Sequence, residues 1–220
     1  APQTSIPLAA NVLGTIGTVF WCIQLVPQIL RNYRTKSTVG LPESMMLLWS
    51  ISGVPFGVYA IVQQFNIPLM VQPQCFGVLC GVSWAQCLIY GGTCFSVCGN
   101  ERDKRLRACR KWRTWTATLL LLGLLCVFAG VEAGLVFAIR GPYSRGEAQW
   151  AVLLIGIIAF LTLISGYLPI PFELLKRRGR VVGIDFVFLT IDWNGAFFSL
   201  MALVAQKEFD VLFGTMYALW

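Results

Sequence analysis

The apolar positions of this chain gather into six runs, each long enough for the roughly 20 helical residues that cross a bilayer. They are Ile6–Leu30, Glu43–Gln63, Ile67–Val97, Thr114–Ile139, Ala148–Leu175 and Ile184–Gln206. A seventh run, Phe209–Trp220, begins in the same way and stops too soon to span. The expected fold is an all-α, polytopic transmembrane bundle of seven helices with the seventh truncated. The chain lacks an initiator Met and ends inside an apolar run, so the natural protein is expected to continue at both ends. Ala1–Pro7 carries no positive charge and the first run is of full length, which argues against a cleavable signal peptide.

The runs repeat at an offset of 142 residues. Pro27 pairs with Pro169, Leu47 with Leu189, Gly53 with Gly195, Phe56 with Phe198, Ala60 with Ala202, Val62 with Val204 and Gln64 with Gln206. The charges follow, Arg34 with Lys176, Lys36 with Arg178 and Glu43 with Asp185. The chain therefore divides into a first three-helix repeat (1–98), a basic loop (99–113), a linker helix (114–140) and a second, incomplete repeat (141–220). An odd number of linker helices puts both repeats in the same orientation. They are expected to be parallel, related by an axis along the membrane normal, with a solute path between the halves and the fourth helix as the bridge.

Composition agrees with the pattern. With 57% hydrophobic and 12% charged residues, and a mean hydropathy of +0.71, there is too little polar surface to coat a soluble globule. The net charge of +7 does not point to nucleic acid, because its distribution is topological. Fourteen of the 17 basic residues follow the first, third and fifth runs, and the other side has only Arg140, Arg145 and Lys207. The positive-inside rule then puts those basic loops in the cytosol and the N-terminus in the lumen or outside. The run Arg102–Arg113 reads as a solvated loop facing anionic lipid headgroups. With no histidine in the chain and most of the eight cysteines inside spans, no metal site is expected. The cysteines read as small buried hydrophobes, except Cys109 among its arginines, where palmitoylation is chemically open. No cofactor is implied and no catalytic residue is expected.

Proline inside an apolar helix is informative because it removes a ladder hydrogen bond and clashes with the carbonyl four residues back. Pro27 frees the carbonyl of Ile23, Pro169 that of Ser165 and Pro171 that of Tyr167. Such carbonyls are tolerated only where they are re-satisfied or line a cavity. The paired prolines read as hinges, the fifth helix being the more distorted. Gln28 carries an amide for either a freed carbonyl or a solute. Gly53 and Gly195, in the even helices, permit close approach of a backbone or a ligand. Gly130 and Gly134 read as a packing face of the fourth helix, with a homodimer contact as the alternative.

Asp192 falls near the bilayer midplane of the sixth run, where an aspartate costs roughly 2.5 to 3.5 kcal/mol to insert. Such residues face polar cavities and mark ion or proton paths. Its repeat partner is Ser50, so the acid exists in one half only. Glu132, in the fourth run, is the secondary acid candidate, with snorkelling or pairing to Arg140 as its simpler role. Glu173 and Asp185 read as salt-bridging residues flanking Lys176–Arg180.

The segment Gln24-Leu25-Val26-Pro27-Gln28-Ile29-Leu30-Arg31-Asn32-Tyr33-Arg34-Thr35-Lys36-Ser37-Thr38-Val39-Gly40-Leu41 resembles the first signature of the PQ-loop family. That family includes cystinosin, vacuolar and lysosomal amino-acid exporters, and relatives of the SWEET sugar carriers and the KDEL receptor. In the second half, Asp192-Trp193-Asn194-Gly195-Ala196-Phe197-Phe198-Ser199-Leu200 resembles the aspartate-bearing segment of cystinosin. The second signature departs from the pattern, with Ile170 in place of the glutamine and Pro171 as an added break. The resemblance implies seven helices in a three-plus-one-plus-three order and a proton-coupling role for Asp192.

The expected function is proton-coupled export of an amino acid or similar small polar solute from vacuole or lysosome to cytosol. Asp192 would carry the proton, Pro27, Pro169 and Pro171 would be the hinges, and Gln28, Ser50, Gly53, Asn194 and Gly195 would line the solute cavity. A receptor or cargo-sorting protein on the same fold, or a sugar facilitator, are the alternatives; a facilitator would need no midplane acid, which Asp192 argues against.

Overall fold

The computed structural model describes residues 8–65, 67–91, 112–176, 186–205 and 214–215, with backbone alone at 172–174 and 176. The elements are all helical: α1 (Leu8–Ile23), α2 (Leu25–Thr35), α3 (Glu43–Val62), α4 (Ile67–Gln86, continued by a π-helical turn Cys87–Gly91), α5 (Thr114–Ser144), α6 (Gln149–Ser165), α7 (Pro169–Lys176) and α8 (Phe186–Val204). They form six candidate membrane spans, α1 with α2 being the first and α6 with the start of α7 the fifth. Arg102–Lys111, Cys109 among them, the loop Arg177–Arg180, Asp185 and most of Phe209–Trp220 lie outside the described residues.

The proline rule explains where the first span breaks. Pro27 cannot donate to Ile23, and the helix is interrupted at Gln24, the next residue. Gln24 keeps helical angles (φ −53°, ψ −41°) and still donates to the Phe20 carbonyl at 2.9 Å, so the ladder is broken while the course of the chain continues. The fifth span is more distorted, as expected from its two prolines: a three-residue turn, Gly166–Leu168, separates α6 from α7. The carbonyls expected to be free are re-satisfied there. Leu168 donates to Ser165 at 3.2 Å and Ile170 to Tyr167 at 3.0 Å, tighter bonds made from three residues on.

Three of the predicted elements change, the first span running five residues past Leu30 to Thr35. The fourth span runs five residues past Ile139, through Pro142, to Ser144. The fifth is two helices rather than one. Two further intrahelical prolines, Pro55 in α3 and Pro73 in α4, break neither helix.

The repeat is visible in what each position buries. Ala10 and Val152, Gly14 and Gly156, Trp21 and Leu163, Met46 and Phe188, Ser50 and Asp192, Gly53 and Gly195, Gly57 and Ser199, and Ala60 and Ala202 are all buried, pair by pair. Packing follows the same rule. In the first repeat α4 lies against both α1 and α3. Between repeats, α1 packs on α8 and α3 on α6. The 142-residue offset carries α1 onto α6 and α8 onto α3, so these two seams are one helix pair occurring twice. The linker helix α5 packs on α3 and α4 and only lightly on α6. It bridges the halves along the chain but leans on the first in space, and of its residues only Ala117 and Glu132 are buried.

Candidate functional site

Small residues let the helices meet. A side chain at Gly17 would come within 2.9 Å of the Ser199 backbone nitrogen, and one at Gly195 would enter the Trp21 indole. Across the other seam the Trp49 indole lies over Gly166, in the break of the fifth span, and its Nε1 donates to the Leu163 carbonyl at 3.2 Å. Both tryptophans lean on Phe76 of α4, with ring centroids 5.3 and 5.6 Å away. Trp49 also meets Tyr167 edge-on at 5.1 Å and Phe188 at 6.4 Å. The result is an aromatic core at the junction of both repeats.

Asp192 sits one turn after Phe188 on the inward face of α8, and is only 5% exposed. Its carboxyl lies within electrostatic reach of the Cys80 thiol on α4 and of the Tyr167 hydroxyl. An acid from the second repeat thus faces groups from both halves, in a setting of low polarity where charge interacts strongly. Cys80 and Tyr167 were not singled out by the sequence. Their signals are faint: Tyr167 lies two residues before Pro169, and Cys80 has the look of any buried small hydrophobe.

The other predicted residues fall around this core in different ways. Ser50, the repeat partner of Asp192, donates to the Gly77 carbonyl at 2.8 Å. Gly53 faces α4 directly, and a Cβ there would lie 3.0 Å from the Pro73 carbonyl oxygen and 3.2 Å from the Gly77 Cα. Gly195 is covered by Trp21. Asn194 is on the flank of α8, its amide donating back to Thr190 at 2.7 Å. Pro27, Pro169 and Pro171 mark the two broken spans, on either side of the core.

Gln28 belongs to a second polar group nearer the basic end of the first span. Its amide donates to Asn32 at 2.9 Å, Asn32 donates to Gln86 at 3.0 Å, and Gln86 donates to the Ile29 carbonyl at 3.1 Å. This chain of amides ties the half-helix after the break, α2, to α4. Asn32 and Gln86 were missed, although their spacing along inward helix faces is legible once Gln28 is placed there.

Glu132 neither snorkels nor pairs with Arg140. It is buried, accepts a hydrogen bond from Gln74 and fills the space left by Gly57. Gly130 and Gly134, read as a packing face, have nothing within 4 Å of a Cβ among the described residues, so none of these packs on them. Arg140 instead borders a cleft of about 660 Å³ between the ends of α3, α5 and α6, with Gln63, Gln64 and Gln149.

Six membrane-length helices, a parallel repeat and an acid buried where the halves meet define a multi-span protein of the class that secondary transporters share. The chain matches the PQ loop repeat family over residues 9–69. It is 38% identical to an uncharacterized membrane protein of Saccharomyces cerevisiae over 196 residues, 89% of this chain and 57% of that protein. It is 34% identical to an uncharacterized protein of Schizosaccharomyces pombe over 211 residues, 96% of this chain and 67% of that protein. The chain thus spans little more than half the length of the first relative. It belongs to the PQ-loop family of membrane proteins.

Proposed function

We propose that the protein exports an amino acid or similar small polar solute from a vacuolar or lysosomal lumen to the cytosol, driven by protons. The observation that carries this reading is the burial of Asp192 between the repeats, beside Tyr167 and Cys80. A buried acid is costly in a membrane and marks an ion or proton path. In this reading the basic ends face the cytosol and the N-terminus the lumen. Asp192 takes a proton on the lumenal side and releases it on the other.

Alternating access follows from the two seams. The halves rock against each other along α1–α8 and α3–α6, and the broken first and fifth spans absorb the change in angle. Glycine contacts at Gly17, Gly53 and Gly195 keep the helices close enough for a small rotation to open or seal the path. The test is flux in liposomes carrying the full-length protein, across the proteinogenic amino acids, cystine and hexoses, with and without a pH gradient. Gradient-driven movement of one amino acid is expected. Binding without flux would favour a receptor or cargo-sorting role, and gradient-independent sugar movement a facilitator.

A further inference from the structure

Gln24, the residue at the break of the first span, is fully buried, and neither its amide nitrogen nor its amide oxygen has a hydrogen-bond partner among the described residues. The next inward amide along the helix, Gln28, is bonded, so the orphan is particular to this position. Leaving a buried carboxamide unpaired forfeits the hydrogen bonds it made with water. The repeat shows that the fold does not require it. The equivalent residue is Gly166, and there the Trp49 indole occupies the space.

The register of the α1–α8 seam brings Gln24 and Asp192 to the same level of the two helices. Gly17 meets Ser199 and Trp21 meets Gly195, so the helices run antiparallel. One further turn on each reaches Gln24 and Asp192. Thr18 and Ser199, also buried and without hydrogen-bond partners among the described residues, lie along the same seam. The buried described residues include no lysine or arginine. A solute carboxylate entering here meets no cation among the buried described residues, and the donors it finds in the seam are the Gln24 amide and the Thr18 and Ser199 hydroxyls.

We propose that Gln24 is a solute-recognition residue whose carboxamide reads the edge of an α-amino acid, accepting from the ammonium at Oε1 and donating to the carboxylate from Nε2. A carboxamide holds its acceptor and donors side by side. An α-amino acid holds its two charged groups on one carbon, so one amide reaches both. Asp192, when ionised, is the ionic partner of the same ammonium. This assignment rests on the exporter reading and names the feature of the solute that the site selects.

The experiment uses the full-length protein in liposomes, wild type against Gln24→Met and Gln24→Asn, with the proteinogenic amino acids and cystine as solutes. The best-transported amino acid is then competed with its own decarboxylated amine. Gln24→Met, nearly isosteric, is expected to raise KM for the amino acid roughly 10- to 100-fold and to weaken inhibition by the amine less, since the amine loses only its bond to Oε1. Gln24→Asn is expected to fall between. Melting of ligand-free Gln24→Met is expected at or above that of wild type, since an unpaired buried amide has been removed. An unchanged KM in Gln24→Met overturns the assignment and leaves the exporter reading standing. So does a lower melting temperature with equal loss toward amino acid and amine, which marks a structural residue. No flux of any amino acid through wild type overturns the exporter reading, and the assignment with it.

Discussion

The α1–α8 and α3–α6 seams are the same helix pair in two copies, yet their polar positions are filled in opposite ways. In α3–α6 the groups are closed: Trp49 covers Gly166 and donates to Leu163, and Ser50 donates to Gly77. In α1–α8 the equivalent of Gly166 is Gln24, that of Ser50 is Asp192, that of Gly57 is Ser199 and that of Phe160 is Thr18. Gln24, Thr18 and Ser199 there keep buried polar atoms without partners among the described residues. Duplication supplied the seam twice, and among the described residues only the α1–α8 copy carries buried polar atoms in excess of what packing uses. The difference separates what the fold needs, which is present in both seams, from what one seam adds.

The contrast is most exposed between a glycine in the α1–α8 seam and one on an open helix face. Gly195→Leu would push a side chain into the Trp21 indole, where an aromatic core leaves no room. Overpacking of this kind costs about 1–3 kcal/mol, occasionally more, and a large fall in melting temperature or in yield of folded protein is expected. Gly130→Leu on the open face of α5 is expected to be near neutral. Equal losses at the two positions would mean that the α1–α8 seam is not tightly packed.

Broken spans give the next contrast. At Pro27 a single ladder bond is missing and the backbone stays helical, so Pro27→Ala should restore the bond and stiffen the span. At Pro169 the break is a three-residue turn, its carbonyls are already bonded, and Pro171 remains. Flux is expected to fall severalfold in Pro27→Ala and less in Pro169→Ala, at equal expression. The reverse order would assign the moving hinge to the fifth span.

Trp49→Phe sharpens the comparison at smaller scale. It keeps most of the ring packing and removes the bond to Leu163, so a loss of about 1 kcal/mol is expected, read as a modest drop in melting temperature. No loss would mean that the α3–α6 seam is held by apolar contact alone.

The sequence made the architecture legible because a membrane enforces it. Twenty-residue apolar runs, basic loops and paired prolines admit few folds, and Pro27 placed the break in the first span within a few residues. Asp192 was legible for the same reason, since a midplane acid stands out in apolar sequence. What could not be read was which polar groups find partners. Gln28 and Gln24 are both glutamines on one helix face; only the approach of α4, with Gln86, bonds the first group and leaves the second without a partner among the described residues. That Glu132 neither snorkels nor meets Arg140 could not be read, because its partner, Gln74, comes from another helix at a point fixed by the missing side chain of Gly57. The length of α5 past Ile139 was missed because the apolar run ends there, while the helix continues through Arg140, Gly141 and Pro142. A helix can keep a proline where the carbonyl it would have bonded lies toward an accessible end.

The central claim is that α1–α8 carries the coupling acid and α3–α6 the packing. It is tested most directly by proton-driven uptake into liposomes of matched lumen-like and cytosol-like pH, comparing wild type with Asp192→Asn. Asparagine keeps the shape and hydrogen-bonding capacity but cannot cycle a proton. Gradient-driven flux is expected to vanish in Asp192→Asn, while exchange of labelled for unlabelled solute at equal pH persists and the protein melts as wild type does. Undiminished gradient-driven flux in Asp192→Asn would contradict the account, remove Asp192 from the mechanism and turn attention to Glu132.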